Sequence, residues 1–265
     1  MNYKKDKPVI IKNLEFSYGS KKVLSDINID MKRGKFYSII GPNGSGKTTL
    51  LKNISGALTS GTEHVFINNM DISTMKQREI AKQIACVPQR TNIDFEFTVM
   101  DIVLMGRSPY LRNFQQESKE DIEIANSAMK KTNIWELREK SIKEISGGEF
   151  QRTIIARALT QKTDIILMDE PISQLDIHHQ IEILNNVEEL VKKENITVIT
   201  VLHDLNLASR YSDELILIDN GNIVSKGTPI EVLTYQNIEK VYNMKVLVQE
   251  SPVDKKPLII PIGLN

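Results

Sequence analysis

Cysteine is nearly absent from this sequence: Cys86 stands alone among 265 residues. One thiol can close no internal disulfide and build no thiolate-rich metal site, so the chain fits a reducing compartment and offers no redox motif. Cys86 itself is expected as a small apolar residue in a strand. Net charge is also missing, with Lys plus Arg and Asp plus Glu both at 34. Without an overall basic field to gather it, nucleic acid is not an expected partner. No stretch approaches the roughly 18 consecutive apolar residues of a membrane span. The longest candidate, Ile196 to Leu202, is broken by threonines and suits a buried strand. The charged start, Met1 to Pro8, lacks the apolar core of a secretory signal. Internal repeats, heptads and low-complexity tracts are missing as well, so any membrane role is expected to come through a partner.

What is present is ordinary for a globular protein, 40% apolar and 26% charged. The length suits one α/β domain with an inserted subdomain. Within it, Gly41-Pro42-Asn43-Gly44-Ser45-Gly46-Lys47-Thr48-Thr49 has the spacing of a phosphate-binding P-loop. The glycines let backbone N–H groups close around an anion, and a following helix presents its positive end. Lys47 then reaches the β and γ phosphates, while the Thr48 hydroxyl ligates Mg²⁺. Chance would produce the pattern in about one chain of this length in a hundred. Its flanks fit too: Phe36 to Ile40 reads as a buried strand, and Lys47 to Ala57 reads as a helix with Leu50, Leu51 and Ile54 on one face.

Val9 to Tyr18 and Ile27 to Met31 alternate as half-buried antiparallel strands do, and His64 to Ile67 adds another. Together they predict a small β subdomain. From about Thr98 to Thr160 the period becomes helical: Val99, Ile102, Val103 and Met105, then Ile122, Ala125, Ala128 and Met129. Ile165 to Asp169, Thr197 to Val201 and Leu215 to Asp219 are apolar runs without alternation, which argues for a parallel sheet covered on both faces. The long helix after Asp176 should bury Ile177, Ile181, Leu184, Val187 and Val191. Asn220-Gly221 marks a hairpin, and the tail from about Asn243 to Asn265 reads only as an extension.

Asp169 ends an apolar strand, where a carboxylate emerges beside the P-loop and can hold Mg²⁺. Glu170 follows, placed to orient or deprotonate a water. Ser146-Gly147-Gly148-Glu149 opens an amphipathic helix, and Ser-x-x-Glu is also a capping box. Two glycines in a first turn weaken a helix but bare its N–H groups to an anion, so capping and anion binding both stay open.

With these motifs in order, the chain resembles an ABC transporter ATPase subunit across essentially its whole length. The carriers are the P-loop, the signature Ile145 to Arg152, the Asp169-Glu170-Pro171 box and His203. The signature serine precedes Asp169 by 23 residues (169 minus 146). The resemblance implies a P-loop ABC ATPase fold: a mainly parallel central sheet, an N-terminal antiparallel β subdomain and an inserted helical subdomain at about 92–160. The ATP-binding domain would span 8–243, with 244–265 as the extension. It further implies ATP and Mg²⁺ as ligands, Tyr18 stacking on adenine, and Gln89 contacting Mg²⁺ and the attacking water. Asp176 couples two subunits and His203 touches the γ phosphate. His178 and His179 form no set with His203 and receive no ligand role. Two copies pair head to tail, each ATP lying between one P-loop and the other copy's Ser146-Gly147-Gly148. The departures are Ile145, Glu149, Ile172, Ser173 and Gln174, of which Glu149 puts negative charge near the phosphate-binding turn.

Thr98 to Tyr110, Leu175 to Gln180 and His203 to Asp213 further resemble ATPases of iron-siderophore, haem and cobalamin importers. That implies two membrane permease subunits docked beside the Gln89 loop, an extracytoplasmic binding protein, and a place on the cytoplasmic face of the membrane. A zinc or manganese importer ATPase is the nearest alternative. A soluble ATP-dependent clamp on nucleic acid or ribosomes is a third, although such proteins usually carry two cassettes or a long coiled coil.

Overall fold

A computed structural model describes residues 6–89, 95–112 and 114–264. The charged start up to residue 5, the expected beginning of the helical subdomain near 92 and the final residue lie outside the described residues. Twelve strands are described: β1 (Val9–Tyr18), β2 (Lys21–Met31), β3 (Phe36–Ile40), β4 (Val65–Ile67), β5 (Met70–Asp71), β6 (Ile84–Val87), β7 (Ile165–Asp169), β8 (Thr197–Val201), β9 (Glu214–Asp219), β10 (Asn222–Gly227), β11 (Met244–Glu250) and β12 (Pro257–Leu264). The helices are α1 (Lys47–Ile54), α2 (Gln77–Ile80), α3 (Val99–Leu104), α4 (Lys119–Lys131), α5 (Gly147–Thr160), α6 (Ile177–Glu194), α7 (Leu205–Tyr211), α8 (Pro229–Val232) and α9 (Tyr235–Tyr242).

The central sheet has the order β10-β9-β3-β8-β7-β6, parallel except for the antiparallel edge strand β10. A second, antiparallel sheet has the order β2-β1-β4-β5. The lack of alternation in the central strands follows from burial on both faces. Tyr37, Ile39, Ile165, Leu167, Ile199, Val201, Ile216 and Ile218 enter one core, with α1 and the antiparallel sheet. Their neighbours Phe36, Ile40, Ile166, Met168, Val198, Leu215 and Leu217 enter the other, with α3, α4, α5 and α6. Period-2 strands between two apolar layers need apolar residues at every position.

The helical segment is fixed by a buried ion pair. Arg107 Nε donates to Asp121 Oδ1 at 2.7 Å, both side chains being 9% exposed, and an Arg107 terminal nitrogen donates to Thr160 O at 3.0 Å. Asp121 also completes the capping box of α4 with Ser118. Hydrogen bonds from Ser118 and then Arg107 hold its carboxyl down at about 2.

Several expectations require correction. Helix α1 stops at Ile54 rather than Ala57, because Gly56 follows with φ +70. Ile177 is 76% exposed, and Ile122 and Met105 are exposed too. The buried stripe of α6 is Ile183, Leu184, Val187, Leu190 and Val191, and its first turn leaves the packed face. Cys86 does lie in β6, but exposed, since β6 is the edge strand and Ala85 and Val87, on its opposite face, are the residues that enter the helix-covered core. The tail is more than an extension: β11 and β12 form a hairpin. It buries Val246 and Ile259, and Ile259 exchanges two hydrogen bonds with the Asn206 side chain of α7.

Candidate functional site

The P-loop runs from the end of β3 to the start of α1, and its backbone is crowded where the sequence places glycine. A Cβ at Gly41 would lie 2.1 Å from Ile218 O, and Gly46 has φ +108, a region costly for other residues. The Asn220-Gly221 turn clamps the loop from above. Gly221 N–H donates to Ser45 O at 3.0 Å and Ser25 N–H donates to Gly221 O at 2.9 Å. The sequence marks this hairpin but not its contact with the loop; Gly221 has no room for a Cβ, which would meet Val23 O at 2.3 Å.

Two groups in the loop suit an anion. Lys47 is buried and donates from Nζ to Gly41 O at 2.9 Å and Pro42 O at 2.8 Å, contacts that phosphate oxygens can replace. Burial pulls its ammonium below the usual lysine range, opposed by the nearby charges of Glu170 and Asp169. Ser45 Oγ is buried with no hydrogen-bond partner, an orphan that a phosphate oxygen would satisfy.

Facing the loop, Thr48 Oγ1 donates to Asp169 Oδ1 at 3.1 Å. Burial pushes the Asp169 carboxyl up, against the Thr48 hydrogen bond. Two hard oxygen donors at this separation, one on a carboxylate that makes no ion pair within 4.0 Å among the described residues, fit Mg²⁺. Next along the chain, Glu170 has a partner at each oxygen: Gln89 Nε2 donates to Oε2 at 2.6 Å, and His203 Nε2 lies 2.5 Å from Oε1. Glu170 also adopts φ +49, a left-handed conformation uncommon for a side-chain-bearing residue. Three residues far apart in sequence, Gln89, Glu170 and His203, therefore meet beside the phosphate cradle.

An open cleft of about 680 Å³ is lined by Tyr18, Lys21, Lys22, Val23, Asn43, Gly44, Gly46 to Thr49, Glu170, Asn220 and Gly221. Tyr18 is half exposed at the end of β1, its ring edge-on to Phe16 at 4.9 Å. The sequence gives no sign of Lys21 and Lys22, because a pair of lysines at the start of a strand carries no motif.

Ser146, Gly147, Gly148 and Asp176 do not line this cleft. Ser146 caps α5: its Oγ accepts from Glu149 N–H at 3.3 Å, and Glu149 Oε2 accepts from Ser146 N–H at 2.7 Å. The capping box is thus formed, and these hydrogen bonds hold the Glu149 carboxyl below the usual range. Gly148 has a packing reason as well, since a Cβ there would come within 2.9 Å of the His179 ring. Asp176 caps α6, accepting from His179 N–H at 3.0 Å. Gln180, which sequence reading passed over, ties the preceding loop through Nε2 to Ile172 O at 3.2 Å and Leu175 O at 2.9 Å.

Comparison with known proteins places this geometry in a family. The family model described as ABC transporter matches residues 24–173. The ferric enterobactin transport ATP-binding protein FepC of Escherichia coli (strain K12) is 38% identical over 94% of this chain and 92% of its own length. The petrobactin import ATP-binding protein FpuD of Bacillus anthracis is 38% identical over 95% and 92%. Among solved structures, an inward-facing transporter described as metal-chelate type superposes with a TM-score of 0.86 at 27% identity, covering 97% of this chain and 98% of that one. A dimeric ATP-binding cassette in a post-hydrolysis state with ADP and Pi gives 0.71 at 29% identity, covering 83% and 98%. With a phosphate cradle, a doubly held glutamate and relatives matched nearly end to end, the chain belongs to the ABC transporter family as one of its ATP-hydrolysing, ATP-binding subunits.

Proposed function

We propose that the chain powers an importer for an iron-siderophore or related metal chelate, working at the cytoplasmic face of the membrane through two permease subunits. The relatives named above are import or siderophore transport subunits, which supports the cargo class. The observation that carries the chemistry is Glu170 held at both carboxylate oxygens beside the P-loop.

In this reading adenine stacks on Tyr18. The phosphates take the backbone N–H groups of Gly41 to Thr49, and Lys47 exchanges its two carbonyl partners for β and γ oxygens. Thr48, Asp169 and Gln89 would hold Mg²⁺, which neutralises charge on the β and γ oxygens. Glu170 orients a water and takes its proton as the water oxygen bonds to the γ phosphorus and the bond to the ADP oxygen breaks. Gln89 and His203 fix the carboxylate, and His203 is the γ-phosphate contact. A second copy completes the site with Ser146, Gly147 and Gly148, whose helix end supplies positive dipole, and Asp176 couples the two copies. ATP then acts as a reversible clamp.

A groove of about 310 Å³, lined by Ile80, Cys86, Met105, Gly106, Arg157 and Gln161 among others, supports a permease contact near the Gln89 loop. The chelate itself would reach the permease from an extracytoplasmic binding protein and never touch this chain. Reconstitution with the permease tests the proposal. ATP-dependent uptake of a ferric siderophore, haem or cobalamin is expected. Uptake of free Zn²⁺ or Mn²⁺ alone, or recovery of the chain only with ribosomes or DNA, would overturn it.

A further inference from the structure

The first turn of α6 carries a cluster that the nucleotide site leaves unused. One donor atom each from Asp176, His178 and His179 lies within 4.8 Å of the others. The two imidazole rings meet edge-on with centroids 5.3 Å apart. His179 Nε2 faces Asp176 Oδ2 at 3.9 Å, while its Nδ1 faces Glu182 Oε2 at 3.4 Å. Glu182 is itself fixed by Arg152 at 2.5 Å. His178 and His179 thus form a donor set not with His203 but with the aspartate that caps their own helix.

We propose that Asp176, His178 and His179 form a site for one divalent transition-metal ion of the Zn²⁺, Co²⁺ or Ni²⁺ class. Two imidazoles and one carboxylate suit these ions and leave further positions open. The Glu182 carboxylate on the far nitrogen of His179 is the arrangement that fixes the tautomer and orientation of metal-bound histidines. Tetrahedral bonds of about 2.0–2.1 Å set ligand atoms about 3.4 Å apart. The exposed side chains of Asp176 and His178 can close that gap by rotation while Asp176 Oδ1 keeps its cap. The positive end of α6 opposes a cation by about 0.3–1 kcal/mol, and the Asp176 and Glu182 carboxylates offset it.

The site abuts the signature turn, since Gly148 packs against the His179 ring. Resting on the paired-subunit reading, an ion here pins Asp176 and occupies ground where the partner docks, so metal slows ATP-driven pairing.

The full chain, freed of metal by chelator and desalted without nucleotide, is titrated with ZnCl₂ and CoCl₂ by calorimetry and visible absorption. One ion per chain is expected, with histidine-ligated Co²⁺ bands, and His178→Ala should weaken binding about 10–100-fold or more. His64→Ala and His203→Ala serve as controls and should not change it. Absence of binding, or binding unchanged in His178→Ala, overturns the site. If Zn²⁺ binds yet slows ATP-driven pairing equally in wild type and His178→Ala, the regulatory role fails. If metal-free chains do not pair with ATP at all, the paired reading fails while the site stands.

Discussion

Replacing Glu170 by glutamine removes the proposed base and leaves nearly everything around it in place. Glu170 Oε2 accepts from Gln89 at 2.6 Å, and its Oε1 lies 2.5 Å from His203 Nε2. Glutamine has almost the same shape. Its amide oxygen can keep one of those partners, and its NH₂ can donate to His203 in the other tautomer. The P-loop contacts of Lys47 and the Thr48 to Asp169 pair lie on other residues. The substitution should therefore leave ATP affinity within about threefold, a change under 0.7 kcal/mol. What disappears is the proton acceptor, which typically contributes 10²–10⁴ in rate, or about 2.7–5.5 kcal/mol of barrier. Single-turnover hydrolysis under saturating ATP should fall by that factor, while gel filtration shows an ATP-dependent dimer that persists. Turnover within about threefold of wild type would refute the role of Glu170, whatever the dimer does.

Lys47→Ala should instead act on binding: losing a charge-assisted partner of the phosphates weakens ATP by about 10–100-fold in equilibrium titration. Glu149→Gln keeps a residue that can complete the capping box with Ser146 but removes a carboxylate from the turn that would meet the partner's ATP. At about 6 Å and an effective dielectric near 20, the relief has an upper bound of about 3 kcal/mol per charge. ATP-driven dimerisation should tighten by about tenfold, and an unchanged dimer constant would show that the signature turn does not face the phosphate. Asp121→Asn leaves Arg107 buried beside a neutral group and should lower unfolding free energy by about 3 kcal/mol in denaturant titration. Because the folded Asp121 carboxyl is depressed from 3.8 to about 2, its stabilisation is fully present above pH 3.8 and is lost as pH falls through about 2. The wild-type curve should steepen in that window relative to Asp121→Asn.

The phosphate cradle was legible because backbone geometry dictates its residues: Gly41 is closed in by Ile218 and Gly46 sits at positive φ. The central strands were legible because burial on both faces leaves an unmistakable apolar run. The tail was not. Proline at 252 and 257 and lysine at 245, 255 and 256 hide the alternation of β11 and β12, whose docking rests on backbone bonds to Asn206 and Ser209 that leave no periodic trace. Ile177 misled for the opposite reason. Its spacing fits the helical stripe, but the first turn of α6 is committed to capping by Asp176 and to the loop held by Gln180. The meeting of Gln89, Glu170 and His203 was readable only through family resemblance, since nothing local in three separate loops predicts a shared carboxylate.

If the proposed reading holds, the course of α5 lets a phosphate event and a permease contact share one element. Its 14 residues span about 21 Å. At one end stand Ser146, Gly147 and Gly148; at the other, Arg157 and Gln161 line the groove beside Cys86 and Met105. Gln161 Nε2 binds the carbonyls of Ala81 and Ile84, and Gly106 allows its backbone to press against Arg157 O, where a Cβ would lie at 2.2 Å. Midway, Arg152 grips Glu182 on α6, whose cap is Asp176. A helix held at its far end by backbone contacts and at its middle by an ion pair moves as a body rather than bending. In the proposed reading, drawing its first turn toward a partner's ATP would shift the groove, and a chelate passing through the permease would be coupled to ATP without ever approaching the nucleotide.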